Sequence, residues 1–86
     1  MKLVLNDGTE IENGRAGCAD GFLWCYFTGT MEQAASLFLD TEKTSKIVFE
    51  YGSEQDVFNG FTFCRCLMAE KSGLISVCMI RGNKNG

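Results

Sequence analysis

Apolar and polar residues alternate in short segments along most of this 86-residue chain. The segments "KLVL" and "TEIE" lie on either side of Asn6-Asp7-Gly8, a sequence that strongly favours a hairpin turn. We therefore predict strands at about residues 2–5 and 9–12. The following segment, "NGRAGCADG" at residues 13–21, contains three glycines and several turn-forming polar residues, which predicts a loop that includes a turn of its own.

Residues 22–27, "FLWCYF", form an uninterrupted apolar run that is rich in aromatic residues and has a glycine close to each end. The length of this run and its flanking residues favour a strand that is covered on both faces. A further strand is predicted at residues 46–51, where "KIVFEY" alternates between apolar and polar positions. The first segment is therefore assigned to a strand by its length and flanking glycines, and the second by its alternation.

The period changes to that of a helix after Gly29. Thr30 and Gln33 stand in capping-box relation, and Glu32 in the first turn interacts favourably with the helix dipole. The apolar residues of this segment recur at i, i+3, i+4 and i+7, which places them on one stripe of a helix. These residues are Met31, Ala34, Ala35 and Phe38. The pattern predicts a single helix here.

The last third of the chain predicts further strands. "DVFNGFTFCRCLMAE" at residues 56–70 is long enough for two short strands, or for one strand bent at Asn59-Gly60. A tight turn at "KSG" leads to "LISVCMIR" at residues 74–81 as the final strand. We expect residues 82–86 to be frayed.

These elements give the order β-β-β-α-β-β-β with one helix, in a single domain over residues 1–86. Successive strands are not separated by helices of 10 to 12 residues, so the strands should pair mainly antiparallel. The sequence therefore predicts an α+β fold, which is a twisted sheet or a partly open barrel with one helix packed against it.

The balance of charge limits the kinds of molecule that this chain can bind. Eleven acidic and eight basic residues give a net charge of −3 and a pI near 4.8, and no run of like charge occurs. A chain of this kind offers no basic stripe for phosphates, so we expect no direct binding to nucleic acid. The N-terminal apolar stretch is far shorter than a signal-peptide core or a membrane span, which predicts a cytoplasmic protein without membrane contact.

Cysteines are the first candidates for chemistry, because Cys64 and Cys66 are one residue apart and the chain contains five thiols. On a regular strand these two side chains share one face and Arg65 points to the other, so Arg65 would not stabilise a thiolate. The chain has no histidine, which removes the usual general base and the common zinc-ligand pairs. We therefore interpret the thiols as reduced packing residues, and we expect no catalytic residue, no metal and no cofactor.

Two apolar strands predict a contact surface instead. A single short helix cannot cover both faces of the sheet, so either the sheet curls around its own core or a second subunit covers the rest. We favour self-association into a homo-oligomer. The predicted interface residues are Phe22, Trp24, Tyr26, Ile75, Val77 and Met79. Arg15, in "GRAG", is a candidate for anion binding, although we favour the simpler interpretation of an exposed arginine in a turn.

The segments "KLVLNDGTEIE", "TMEQAASLF", "TSKIVFEYG" and "VFNGFT" together resemble small proteins encoded by phages and prophages of Gram-positive gut bacteria, in the tail and baseplate gene region. The resemblance covers roughly residues 2–63. It implies a non-enzymatic protein–protein interaction module that serves as a structural or assembly accessory of the tail. Proteins of this kind often carry a C-terminal extension beyond the point where this chain ends, which leaves room for another role. The alternative is an anti-defence protein that inhibits a host immune protein by binding it, or that sequesters a nucleotide signal between Arg15 and an aromatic residue such as Trp24 or Tyr51.

Overall fold

A computed structural model describes residues 1–82, which form eight strands and two short helices. The strands are, in chain order, β1 (Lys2–Leu5), β2 (Glu10–Glu12), β3 (Arg15–Ala19), β4 (Phe22–Thr28), β5 (Lys46–Tyr51), β6 (Glu54–Asn59), β7 (Phe61–Ala69) and β8 (Leu74–Arg81). The helices α1 (Met31–Phe38) and α2 (Thr41–Thr44) follow β4. None of the helices in this part of the chain has the length and apolar character needed to cross a membrane.

The strands form two four-stranded sheets, and every neighbouring pair is antiparallel. The first sheet has the order β2-β1-β5-β6, and the second has the order β3-β4-β8-β7. This arrangement confirms the predicted α+β class and the antiparallel pairing. The two sheets do not close into a barrel. The element order is β-β-β-β-α-α-β-β-β-β. It differs from the predicted order because strand β3 and helix α2 were not predicted, and because β6 and β7 are separate strands.

The β1–β2 hairpin forms at the predicted turn. The backbone N–H of Leu5 donates to the carbonyl of Thr9 at 2.8 Å, and the side chain of Asp7 accepts from the N–H of Thr9 at 3.0 Å. Gly8 has a φ of 92°, a left-handed conformation that glycine adopts without the steric cost of a Cβ. The prediction from Asn6-Asp7-Gly8 is confirmed.

The prediction of a loop at residues 13–21 is wrong, because most of this segment is strand β3. It pairs with β4 through a second tight hairpin, whose turn residues Asp20 and Gly21 both have positive φ, at 54° and 84°. Two left-handed residues in succession are the signature of the type I′ turn, and Asp-Gly is a favoured sequence for it. The pair Asp20-Gly21 immediately before an aromatic run was therefore the signal for this hairpin.

Helix α1 begins with the predicted capping box. The N–H of Gln33 donates to the hydroxyl of Thr30 at 3.1 Å, and the N–H of Thr30 donates to the side-chain oxygen of Gln33 at 2.9 Å. Ala34 and Phe38 are buried, and the ring of Phe38 lies 5.8 Å from that of Phe27 on β4. The helix is thus attached to the second sheet mainly through its C-terminal half.

The predicted apolar stripe of α1 is only partly buried. Met31 and Ala35 are exposed, whereas Leu37 packs against the core beside Phe38. The second helix, α2, was not predicted because its sequence is polar. The side chain of Asp40 caps it by accepting from the N–H of Glu42 at 2.9 Å.

Residues 54–69 form two strands in different sheets rather than one bent strand. β6 belongs to the first sheet and β7 to the second, and Gly60 between them has a φ of 80°. The sequence is compatible with both two short strands and one bent strand. The Asn59-Gly60 pair therefore marks the point at which the chain passes from one layer to the other.

The core lies between the two sheets and contains the inward-facing residues of both. The first sheet contributes Leu3, Leu5, Ile11 and Ile47, and the second contributes Ala16, Leu23, Cys25, Phe27, Phe61, Ile75, Val77 and Met79. The fraying predicted for residues 82–86 concerns mostly residues 83–86, which lie outside the described part of the chain.

Candidate interaction surface

The outward-facing sides of the two sheets differ sharply in chemistry. On the first sheet, the Lys2 ammonium lies 3.1 Å from a carboxylate oxygen of Glu10 and 4.0 Å from one of Glu50. The hydrogen bond to Glu10 and the nearby negative charges raise the pKa of Lys2. Exposed ion pairs of this kind are well solvated, so the outer side of the first sheet gains little from being covered by a partner.

The outer side of the second sheet is built from large apolar side chains. Strand β4 alternates, so that Leu23, Cys25 and Phe27 face the core while Phe22, Trp24 and Tyr26 face outward. The rings of Trp24 and Tyr26 are nearly parallel, with centroids 6.5 Å apart and an interplanar angle of 13°. Together with the outward residues of β7 and β8, they form a surface that we call the aromatic face. It contains Phe22, Trp24, Tyr26, Leu67, Leu74, Ser76, Cys78 and Ile80.

Several of these side chains are unusually accessible for apolar residues. The exposed fractions are 38% for Phe22, 58% for Leu67, 38% for Leu74 and 39% for Ile80. The charged residues that the strand register places on this face are arginines, namely Arg15 on β3 and Arg65 on β7. Contiguous apolar surface with few charges is typical of contact sites in folded proteins.

The predicted interface residues fall on opposite sides of the second sheet. Phe22, Trp24 and Tyr26 lie on the aromatic face, and their role as partner anchors stays a prediction. Ile75, Val77 and Met79 are fully buried in the core, so the prediction that they lie at an interface is wrong. Their strand is indeed two-sided, but the side that faces solvent carries Leu74, Ser76, Cys78 and Ile80. The sequence alone cannot decide between these two sides, because both are apolar.

A bulge in β7 overturns the prediction for the cysteine pair. The pairing of β7 with β8 is regular on both sides of Cys64 but shifts by one residue between Phe63 and Arg65. Cys64 and Arg65 are therefore both next to Cys78 on the outer side, while Cys66 turns inward. The Cys66 thiol donates to the sulfur of Met31 at 3.8 Å. An extra residue in one strand is the usual means by which a strand changes which side chains share a face.

Three of the five thiols, those of Cys25, Cys66 and Cys78, lack the environment of reactive cysteines. Burial raises the pKa of Cys25 to about 12. Burial also raises the pKa values of Cys66 and Cys78, although Arg65 acts in the opposite direction on Cys78. Within residues 1–82, no group of three or more cysteine or acidic side chains is arranged to hold a metal ion. Cys25, Cys66 and Cys78 therefore serve as packing residues. Cys18 and Cys64 are exposed, so the interpretation of all five thiols as packing residues is wrong for these two.

Arg15 lies on an edge strand and not in the predicted glycine-rich loop. Extended backbone does not form the concave nest of amides that binds anions in such loops, so that part of the prediction is wrong. Arg15 instead pairs with Tyr26 across β3 and β4, and both line a shallow depression of about 320 Å³ together with Ala16 and Leu74. Tyr51, the other candidate for stacking a base, is distant in topology because it belongs to the first sheet, where its hydroxyl donates to Asp56 at 3.1 Å.

Comparison of this chain with protein-family models, with curated protein sequences and with solved structures gives no match. The aromatic face is therefore interpreted from its own geometry. It combines an antiparallel sheet, three outward aromatic side chains and two arginines at the edges. Such a surface can bury apolar area, and its arginines can donate hydrogen bonds at the rim.

Proposed function

We propose that this chain is a protein–protein interaction module that binds another polypeptide chain through the aromatic face. The observation that carries the proposal is the contrast between the two sheets. The outer side of the first sheet carries ion pairs beside a row of three small apolar residues, Val4, Val48 and Val57, whereas the aromatic face leaves large apolar side chains in contact with water. Its aromatic residues and arginines are the side-chain types that dominate binding energy in known interfaces.

The energetic argument follows from the exposed fractions of these residues. Covering a large apolar side chain completely contributes about 1.5–3 kcal/mol, and these residues retain more than a third of their surface for a partner to cover. Four such residues, together with Trp24 and Tyr26, supply several kcal/mol of favourable transfer free energy. Part of this gain offsets the loss of translational and rotational freedom on association.

The finer assignment follows from the sequence resemblance. We propose a non-enzymatic accessory of the phage tail or baseplate, made in the cytoplasm of the bacterial host and able to associate with the virion. Supporting the non-enzymatic part, the thiols of Cys25 and Cys78 are buried, and the chain contains no histidine. In a screen against general hydrolase and phosphatase substrates, we expect no turnover. Turnover that disappears on substitution of a single carboxylate would contradict this part of the proposal.

Co-purification tests the use of the aromatic face. Tagged wild-type protein should retain phage tail proteins from infected cells, and Trp24→Glu should lose most of this retention because it places a charge in the middle of the apolar surface. Val57→Glu is the matched control, since Val57 is an exposed apolar residue on the outer side of the first sheet. Equal loss for both variants, or retention that Trp24→Glu leaves unchanged, would overturn the proposal.

One observation favours the anti-defence alternative. Arg15 and Tyr26 line the same depression, and Trp24 stacks beside Tyr26, so a guanidinium and two aromatic rings are available to one nucleotide. Arginine binds phosphate through paired hydrogen bonds, and aromatic rings stack on bases. In a strain that carries a defence system, the protein should then restore phage plating, and Arg15→Ala should abolish this protection. Protection that survives Arg15→Ala would exclude the sequestering mechanism.

A further inference from the structure

We infer that the occupant of the aromatic face is a second copy of this chain, packed face to face about a two-fold axis that runs parallel to the strands. This inference rests on the proposed function and names the polypeptide that covers the aromatic face in the isolated protein; a tail protein that binds the same face displaces this second copy. It follows from the shape, the size and the charge of the aromatic face.

At its centre, the aromatic face has a ridge beside a trough, and the exposed side chains of Leu74 and Ile80 stand at the two ends of this trough. The two central strands are β4 and β8, and their register places Trp24 opposite Cys78 and Tyr26 opposite Ser76. Every large outward side chain in these two pairs is on β4, and every small one is on β8. Cys78 is buried although it faces outward, because Trp24 on β4 and Cys64 and Arg65 on β7 flank it, so the trough is open mainly at the half-buried Ser76. The far side of the trough is formed by β7, where Leu67 stands next to Ser76.

A two-fold axis parallel to the strands and between β4 and β8 brings each ridge over the partner's trough. Rotation about this axis places β4 of one copy over β8 of the other, so that Tyr26 meets Ser76 of the second copy. Trp24 then lies over the side chains that cover the second copy's Cys78. A two-fold axis across the strands would instead place ridge on ridge. Sheets that pack face to face keep their strands within about 30° of each other, which the first arrangement satisfies. The contact is the same on both copies, as in the commonest class of homodimer.

The size of the face suits a small dimer. Strands are about 4.8 Å apart and rise about 3.3 Å per residue, so four strands of about seven residues cover roughly 440 Å² in projection. Side-chain relief makes the accessible area larger than this projection. Two such faces therefore approach the lower end of stable interfaces, about 1,200 Å² in total. We expect a dimer that dissociates on dilution.

The charges of the face place a limit on the choice of partner. In the two-fold arrangement, Arg15 lies at the rim opposite Leu67 of the second copy, and Arg65 lies opposite Gly17. Both arginines stay near solvent and form no ion pair across the interface. Each copy also carries a net charge of −3, so added salt should screen repulsion and strengthen the association. A different partner with an acidic rim would show the opposite dependence on salt.

A pair of complementary substitutions tests the geometry. Tyr26→Ser removes part of the ridge, and Ser76→Tyr fills the trough, so each alone should convert the dimer to a monomer at micromolar concentration. The double variant carries both substitutions and moves the ridge residue from β4 to β8, which restores a large side chain opposite a small one across the two-fold axis. It should recover the dimer. Because Tyr26 and Ser76 are neighbours in the same sheet, the exchange keeps the same two side chains adjacent within each copy.

Static light scattering with circular dichroism on each variant measures the outcome. The wild type should have about twice the monomer mass of 9.5 kDa, and its mass should not fall when salt is raised. A wild-type mass of 9.5 kDa overturns the inference, and so does a folded double variant that stays monomeric. Should Ser76→Tyr fail to fold, Ile80→Asp at the exposed edge of the face provides the same test, with monomer expected and an unchanged dimer contradicting the inference.

The two proposals can fail separately. A monomeric wild type that still retains tail proteins, with retention lost in Trp24→Glu, would overturn the second copy as the occupant and leave the interaction module in place. A monomer that retains no protein through this face would overturn both.

Discussion

Replacing Phe38 by alanine should remove much of the stability of the fold. Phe38 is 1% exposed, its ring lies 5.8 Å from that of Phe27, and it is the largest buried side chain of helix α1. That helix has only eight residues, whereas isolated helices shorter than about 12–15 residues are marginal in water. The helix therefore depends on packing against the second sheet, and Phe38 provides most of that packing.

The magnitude follows from the cost of truncating a buried aromatic residue. Phe→Ala substitutions in well-packed cores cost about 3–5 kcal/mol, through lost transfer free energy and the cavity that remains. A domain of this size has a free energy of unfolding of about 4–13 kcal/mol, at roughly 0.05–0.15 kcal/mol per residue. We therefore expect Phe38→Ala to remove a large part of the stability, and to unfold the protein at 37 °C if the wild type lies near the lower end.

Urea unfolding followed by Trp24 fluorescence and far-UV circular dichroism measures this loss, with every variant at the same protein concentration. Leu39→Ala is the matched control, because the neighbouring Leu39 is 55% exposed and its truncation should cost less than about 1 kcal/mol. A loss below about 1 kcal/mol for Phe38→Ala, with an unchanged m-value, would refute the packing of α1 described above.

Three further predictions concern the helix cap, the thiols and the pH dependence. Thr30→Ala should lower the free energy of unfolding by about 1 kcal/mol, and Thr30→Ser should restore most of it; equal stability of all three proteins would contradict the capping box. Buried Cys25 and Cys78 should react with a thiol reagent only after urea unfolding, and rapid reaction of either in the native protein would show that it is accessible. The hydrogen bond from the Thr9 N–H lowers the pKa of Asp7 from its ordinary value of 3.8. The ionised Asp7 carboxylate therefore stabilises the folded state above pH 3.8, and this stabilisation is lost as the pH falls through the lower pKa of the folded state. Asp7→Asn should therefore flatten the fall in melting temperature below about pH 4, and an unchanged profile would contradict it.

The sequence predicted the elements whose signals are local. The turn at Asn6-Asp7-Gly8 and the capping box of Thr30 and Gln33 depend on contacts between residues at most four positions apart, so their residue types are sufficient to specify them. The strand β3 carried an equally local signal in Asp20-Gly21, but the surrounding glycines masked it. The antiparallel pairing also followed from sequence, because the predicted strands lacked intervening helices.

The division into two sheets could not be predicted in the same way. Whether β6 and β7 pair with the same neighbours depends on contacts between distant residues, and their shared sequence shows only a turn at Asn59-Gly60. The bulge after Phe63 presents the same difficulty, because an ordinary strand sequence gives no sign of an extra residue. That bulge decides that Cys64 and Arg65 face outward while Cys66 faces α1.

What the sequence determined by itself was therefore most of the strands, with β3 missed, together with the first helix. It also determined that the chain has more apolar strand surface than that helix could cover. Only the tertiary structure decided how that surface is divided, with Ile75, Val77 and Met79 turned into the core and the aromatic side of β4 left outside. The physical reason is that β4 and β8 are apolar on both sides, so alternation along either strand does not indicate which side is covered. That choice is made by the first sheet, which packs against the inner side of β4 and β8.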